Sequence, residues 1–591
     1  MPTVAILGGG VAGLSAAHHL AERGFDVTIY EAANRPGGKA RSGAVPGTGE
    51  PGLPTEHGFR FFPGFYEHVV DTMAGIPTGS AGPSGEGTVA DALVPSERTL
   101  IAAIHGADRL ASTETPRTPR EWLDALIPGR SANLPPGEAT FLGERILELL
   151  SSCEARRRAE LDDVSWWEYL QAGRMSPEYR ALVRSTRELV AMDPRRASAR
   201  TVGRIYVQLL RGTITPSLQA ERILDGPTSE VWIGPWLSHL ESLGVELVMD
   251  ARATGFHVEG GEVVGVTVDG GGGTDQVTAD YYVAAVPVEV MAELVDADLR
   301  AAAPSLAGVS QLETAWMNGI QFYLREDVPL VRGHEMYADS PWALTSVSQA
   351  QFWDVDLPAR TDGEIEGVLS VIVSDWTTPG MVHERPAREC TPAEIAEEVW
   401  AQLCAHLDGV ELDADGFATD DGREIHNVAP ERAGGAATDG SGRPGESARP
   451  AVETLDETVA GWYLDPAIVE QEDGEGVENR APLLVNTVGS LRHRPPANPA
   501  AGNLYLAADY VRTETDLASM EAADEAARRA VRAILEDSGK SASPPQLWKF
   551  REPAVFAPLK AEDRVRFNLG LPHPGGISRS VQGRLRRSRS D

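Results

Sequence analysis

Lysine is nearly missing from this chain. Among 591 residues only Lys39, Lys540, Lys549 and Lys560 are lysines, so arginine carries almost all the positive charge. Positive charge of either kind is scarce as well: 53 basic residues face 87 acidic ones, and the formal net charge is −34. A surface of that sign repels phosphate backbones and excludes nucleic acid as a partner. Cysteine is limited to Cys153, Cys390 and Cys404, with no Cys-x-x-Cys pair. That excludes a disulfide framework and predicts reduced thiols, no metal site and a cytoplasmic setting. No run of eighteen apolar residues is present, so no segment is expected to span a bilayer. The N-terminus shows no basic stretch leading into an apolar one, which predicts no secretory signal. There is no internal repeat.

Ordinary globular material fills the rest, with 42% apolar and 24% charged residues. The length allows two to four domains with ample core. The first residues are the most informative. Thr3-Val4-Ala5-Ile6-Leu7 is a wholly apolar run, Gly8-x-Gly10-x-x-Gly13 follows at once, and Leu14, Ala17, Leu20 and Ala21 then recur at helical spacing. A second strand over 26–30 ends at Glu31, eighteen positions after Gly13. This order predicts a βαβ unit that holds an adenine dinucleotide. Gly8 permits a sharp turn, Gly10 leaves room for a pyrophosphate, and Gly13 lets the helix pack close to the sheet. The helix start, with the N–H groups of Val11 and Ala12, presents a positive dipole end to the phosphates. Glu31, followed by Ala32, is placed to accept hydrogen bonds from the adenosine ribose.

A second glycine-rich turn follows, Arg35-Pro36-Gly37-Gly38-Lys39-Ala40-Arg41-Ser42, with three cations flanking it. Asn503-Leu504-Tyr505-Leu506-Ala507-Ala508-Asp509 reads as a late strand, and Leu517-Ala518-Ser519-Met520-Glu521-Ala522-Ala523 as a helix start. Together these segments resemble the flavin amine oxidase and phytoene desaturase superfamily, including its hydroxysqualene dehydroxylase-like members. Ala508 and Ala522 stand where glycine is usual in that family. The resemblance implies FAD as the cofactor. It implies contacts to FAD from Gly38, Lys39 and Arg41, from Gly58, Phe59 and Arg60 in the run Glu56-His57-Gly58-Phe59-Arg60, and from Ala253, Asp509, Ser519 and Met520.

The same resemblance implies an α/β architecture. A Rossmann-type (GR2-like) FAD-binding domain would be assembled from the discontinuous segments 1–75, 228–295 and 480–537. An interleaved α+β substrate domain would use 76–227 and 296–479. Residues 79–88 read as a turn region and 136–227 as mainly helical. Strands are expected at 244–248, 262–268, 279–286, 320–324 and 368–373, and a helix at 395–407. The Asp/Gly/Ala/Pro-rich stretch 412–455 reads as a mobile insertion, and 538–591 as a C-terminal extension ending in a disordered basic tail.

Two positions near the motifs suit chemistry. His57 is a histidine, a residue type suited to proton transfer near neutral pH, with a structural hydrogen bond as its equal alternative. Arg60 can pair with a phosphate or with the flavin's carbonyl edge, or close a salt bridge within its own loop. Many amine oxidases of the superfamily place a lysine near flavin N5; the segment 313–319 expected there contains none. Trp316, Trp342, Trp353, Trp376 and Trp462 can line an apolar tunnel, form a cage for an ammonium group, or simply pack the core. The leading reading is an FAD-dependent desaturase or dehydrogenase that takes hydride from a hydrophobic, isoprenoid- or carotenoid-like substrate. Its electron acceptor would be oxygen or a quinone. The alternatives are a flavin amine oxidase acting on a soluble metabolite, and a flavin-binding scaffold without turnover. Localisation is expected to be cytoplasmic, with at most peripheral membrane contact.

Overall fold

The computed structural model describes all residues except 83–84, 105–108, 113–133, 191, 215–220, 272, 362, 420–448, 473 and 577–591. Its organising element is a five-stranded, wholly parallel sheet. The strand order is Glu246–Val248, Asp26–Tyr30, Thr3–Leu7, Tyr281–Ala284, Leu504–Leu506. Both faces of a parallel sheet are covered, which explains why Thr3–Leu7, Tyr281–Ala284 and Leu504–Leu506 are buried runs rather than alternating ones. The helix Val11–Ala21 packs on the closing helix Met520–Ser538 through small residues such as Ala16, Ala17, Ala526, Ala527 and Ala530, all buried. Beside it lies an antiparallel meander, Arg252–Glu259, Glu262–Gly270 and Gly273–Val277. Its first turn is Gly260-Gly261, both at positive φ (62° and 90°), the pairing that a tight two-residue hairpin turn requires.

The second large sheet has seven strands in the order Arg109–Ser112, Arg98–Ala102, Gly333–Tyr337, Leu344–Ser348, Gly367–Val373, Asn318–Leu324, Val459–Leu464. Only the pairing of Gly333–Tyr337 with Arg98–Ala102 is parallel. One face carries Ile320, Phe322, Leu369, Val371 and Val373 beneath the helix Pro392–Leu407, which buries Ile395, Val399, Leu403 and Leu407. Thr391 caps that helix in a reciprocal box with Glu394. The alternate residues Gly319, Gln321 and Ile372 turn toward the segment 55–58 of the other half.

The run 136–227 is mainly helical as expected, through the helix Ala199–Ile214, and it also holds the strand Glu221–Leu224, which pairs with Phe61–Pro63 and Leu93–Pro95. Three expectations need correction. The turn region 79–88 lies mostly in a β-hairpin, Pro77–Gly82 with Gly85–Thr88. The stretch 412–455 is structured at both ends: Glu411–Leu412 pairs with Arg449–Pro450, and the helix Ala451–Thr458 follows, while residues 420–448 lie outside the described residues. The C-terminal extension is not an appendage up to Gly576. Lys540 donates to the carbonyl of Arg23, the Trp548 amide donates to His68 Nε2 at 3.0 Å, and Phe550 packs edge-on against Phe65. The basic tail expected past residue 577 lies outside the described residues.

Candidate FAD cradle and active site

The phosphate end is built by backbone. Gly8 leaves the first strand at φ +105°, and a Cβ there would sit 2.5 Å from the Ala285 carbonyl oxygen. A Cβ at Gly13 would lie 1.9 Å from the Gly8 carbonyl oxygen, so only glycine permits this approach of helix to turn. Gly10 differs: a Cβ there would meet only the Gly38 Cα, at 3.8 Å. Among the described residues no other atom lies within 4 Å of that position. The helix that starts there has no side-chain cap, and Val11 and Ala12 are buried, so its first N–H groups await an acceptor. An uncapped helix start facing a glycine-lined space fits a pyrophosphate.

The second turn comes back over the first. Gly37 and Gly38 both have positive φ, the Gly37 amide donates to the Gly9 carbonyl at 2.8 Å, and Gly10 and Gly37 form an isolated bridge. The Glu31 carboxylate spans the loop ends, accepting from the Gly9 amide at 2.6 Å and the Ala33 amide at 2.8 Å. The Ala251 amide donates to the Glu31 carbonyl, which brings Ala253 and exposed Ala32 to the same end of the cradle. Arg41 donates to the Arg35 carbonyl at 2.9 Å; burial and the neighbouring Arg35 depress its pKa, and the charges of Glu31 and Asp465 oppose that. Lys39 does not stand free as a cation. It donates to the Pro482 carbonyl and lies 3.7 Å from Glu289, whose carboxyl is pushed up by burial and by nearby Asp509 against the pull of Lys39.

The run 56–60 forms the seam between the halves. A Cβ on Gly319 would lie 2.9 Å from Gly58 Cα, and one on Gly58 would lie 3.1 Å from Ile372 Cδ1, so Gly58 serves close packing of the substrate sheet. Phe59 is buried, edge-on to His334 at 4.8 Å, in a cluster with Ile223, Val347, Phe352 and Ile372; Phe61 and Met317 flank it. Arg60 donates to the carbonyls of Gly58 and Lys39 and so ties the seam to the second turn, while burial depresses its pKa. His57 Nδ1 lies 2.5 Å from Asp465 Oδ2, and His57 Nε2 is buried with no hydrogen-bond partner among the described residues. Burial pushes the Asp465 carboxyl up, but the His57 hydrogen bond and charge together with the hydrogen bonds from Ala467 and Asn318 hold it below its usual range. Asn318 Nδ2 at 2.6 Å and the Ala467 amide at 3.0 Å complete the carboxylate's partners.

Asp465, Asn318 and Glu56 are the residues that sequence reading missed. No spacing signal connects Asp465 to His57, since they reach each other only across the two halves. Glu56 lies inside a motif that did not single it out. It accepts from the Thr228 amide at 2.9 Å and hydroxyl at 3.1 Å, and burial pushes its pKa up to about 7 against the charge of Arg60.

At the far end Ser519 caps the closing helix, accepting from the Ala522 amide at 3.2 Å, and Met520 is half-buried beside it. Glu521 turns away from that helix start. Its carboxylate accepts from the amides of Glu67, His68 and Val69 and from His68 Nδ1 at 2.7 Å, capping the helix His68–Ala74. Arg494, fully buried, donates to the carbonyls of Asp509, Tyr510 and Val511 and so fixes the main chain at Asp509.

The tryptophans mostly pack the core. Trp342 and Trp376 are buried and donate to the carbonyls of Thr378 and Val373. Trp316 stacks edge-on against Trp376, and Trp462 is 42% exposed on an edge strand. At the seam Phe59, Phe61, Met317, Phe352 and Ile372 form a hydrophobic cluster.

Comparison with known proteins agrees with the fold. The family model described as flavin containing amine oxidoreductase matches residues 11–417. Carotenoid phi-ring synthase of Chlorobaculum tepidum is 25% identical over 292 residues, which are 48% of this chain and 42% of that one. This chain therefore spans under half the length of that relative. Among solved structures, putrescine oxidase bound to putrescine superposes with a TM-score of 0.56 at 13% identity, covering 91% of this chain and 99% of that one. Cyclohexylamine oxidase from Brevibacterium oxydans gives 0.55 at 16% identity, covering 91% and 99%. At such identities the likeness is one of fold.

Proposed function

This chain belongs to the flavin containing amine oxidoreductase family, and from that premise we propose that it dehydrogenates a hydrophobic, isoprenoid- or carotenoid-like substrate. It is an FAD-dependent oxidoreductase: the family brings a flavin, and the glycine cradle with Glu31 suits an adenine dinucleotide. FAD supplies the two-electron acceptor for a hydride. The residues that would hold it are the turns around Gly10 and Gly38, with Glu31 at the ribose and Ser519 and Met520 at the closing helix.

The observation that carries the substrate class is the seam itself. Phe59, Phe61, Met317, Phe352 and Ile372 form a hydrophobic cluster there, and no lysine occurs from 40 to 539. An apolar seam favours a substrate without charge, because an unpaired ammonium would lose its hydration there. Desaturation releases a hydride and a proton. With Asp465 accepting from Nδ1–H, neutral His57 presents Nε2 as a base, and we assign the proton to it. The carotenoid-related relative supports the same class. The amine-oxidase reading has one feature in its favour: Glu221 lies 3.5 Å from His334, which packs against Phe59 and Phe61. That pair brings an ionisable acid to the apolar cluster.

Anaerobic stopped-flow reduction distinguishes the two. Flavin bleaching by a detergent-dispersed isoprenoid, with none by putrescine or cyclohexylamine, is the expected result. Bleaching by a simple amine alone would transfer the assignment to amine oxidation.

A further inference from the structure

One short segment touches both the cradle and the seam. Residues 479–482 leave the hairpin made by Ile468–Glu470 and Val477–Asn479, in which Asn479 pairs with Ile468. At the far end of the segment the Pro482 carbonyl accepts from Lys39 in the second glycine turn. At the near end the Asn479 side chain enters a hydrogen-bonded chain that leads to His57. The Ala481 amide donates to Asn479 Oδ1 at 2.8 Å, Asn479 Nδ2 donates to Asn318 Oδ1 at 2.7 Å, and Asn318 Nδ2 donates to Asp465 Oδ2 at 2.6 Å. His57 Nδ1 meets the same carboxylate oxygen at 2.5 Å. Asn318 and Asp465 are buried, and Asn479 is half-buried.

This chain of bonds has one permitted direction. A backbone N–H can only donate, so Asn479 turns its oxygen to Ala481 and its NH2 to Asn318. Asn318 then has its own oxygen to offer Asn479, and its NH2 faces Asp465. The Ala467 amide takes the other carboxylate oxygen at 3.0 Å. Each oxygen of Asp465 thus receives an N–H from the substrate half, which keeps the carboxylate an acceptor, and an acceptor is what a proton on His57 Nδ1 requires. The lone pair is left on Nε2, which is buried and has no hydrogen-bond partner among the described residues. A flip of either amide would set oxygen against oxygen within the chain. We propose that Asn318 and Asn479 are positioning residues, which through Asp465 fix His57 as the Nδ1–H tautomer with Nε2 free to take a proton. This deepens, and rests on, the reading of His57 as the base.

The tautomer is readable without substrate, so the positioning role and the base assignment fail separately. In holoenzyme with isotope-labelled histidine nitrogens, His57 is identified by the signals that His57→Gln removes. Wild-type His57 is expected as the Nδ1–H form. Asn479→Ala removes a donor at a half-buried position, so FAD content should be unchanged while His57 becomes a mixture of both tautomers. Asn318→Ala should shift the tautomer further; where that variant fails to fold, Asn479→Ala still decides. With a detergent-dispersed isoprenoid that bleaches the flavin, the limiting rate of reduction in Asn479→Ala should fall about tenfold, with KM changed less than about twofold. A wild-type His57 carrying its proton on Nε2 overturns the proposal. So does an unchanged His57 signal in folded Asn479→Ala protein, or a limiting rate that stays the same while the tautomer shifts. A tautomer shift in a protein that no isoprenoid bleaches upholds the positioning role and removes only the substrate reading.

Discussion

The two large sheets obey different rules. In the parallel sheet, strand, turn and helix are neighbours in sequence, and two glycines answer contacts close by, Gly13 against Gly8 and Gly37 against Gly9, while Gly8 also answers Ala285 from a later strand. In the seven-stranded sheet the decisive contacts come from afar: Gln321 bonds Thr55 and Glu56, Asp465 holds His57, and Gly319 packs on Gly58. The cradle is thus written locally, while the reacting end depends on how the two halves meet.

Four substitutions probe that contrast, in descending order of expected effect on stability. Gly13→Ala should be the most damaging, because its Cβ would overlap the Gly8 carbonyl oxygen. A loss of about 4 kcal/mol or more is expected, seen as a collapse of the thermal transition and of bound FAD. Unchanged melting would show that the helix and turn can move apart.

Glu56→Gln tests the seam through pH. Burial raises the folded-state pKa of Glu56 from 4.5 to about 7. A raised carboxyl favours folding while protonated, so its contribution is present below the unfolded pKa and is lost as pH rises through 7. The glutamine variant should match wild type near pH 4 and exceed it by up to about 3 kcal/mol above pH 8. A constant difference across that range would remove Glu56 as the titrating group.

Asp465→Asn should cost about 1–3 kcal/mol by weakening the acceptor on His57 Nδ1. It should also free the His57 tautomer, visible in the imidazole nitrogen shifts of the labelled protein. An unchanged His57 spectrum would mean that the pair does not set the tautomer. Gly10→Ala should be the mildest for stability, within about 1 kcal/mol, because the added methyl enters open space. Its effect should appear in FAD retention, lowered at least tenfold. Full retention would place the pyrophosphate elsewhere.

The order strand, glycine turn, helix, strand, acid was legible from the first residues, and so was the start of the closing helix around Ser519. These depend on period, on glycine's freedom and on capping, which act over a few residues. Tertiary structure decided the rest. The sequence pattern offered His57 and Arg60 for chemistry or for structural bonds. The fold gives Arg60 to two loop carbonyls and gives His57 a partner, Asp465, from the end of the strand Val459–Leu464. Glu521 lies in the first turn of the closing helix, yet its carboxylate caps another helix. The tryptophans, open to three readings, mostly fill the core, and the hydrophobic cluster at the seam is made of Phe59, Phe61, Met317, Phe352 and Ile372. A residue's type and its neighbours in the chain set which local geometry it favours. What lies across a domain seam is set by which distant segments pack there, and that depends on the burial and close approach of whole sheets.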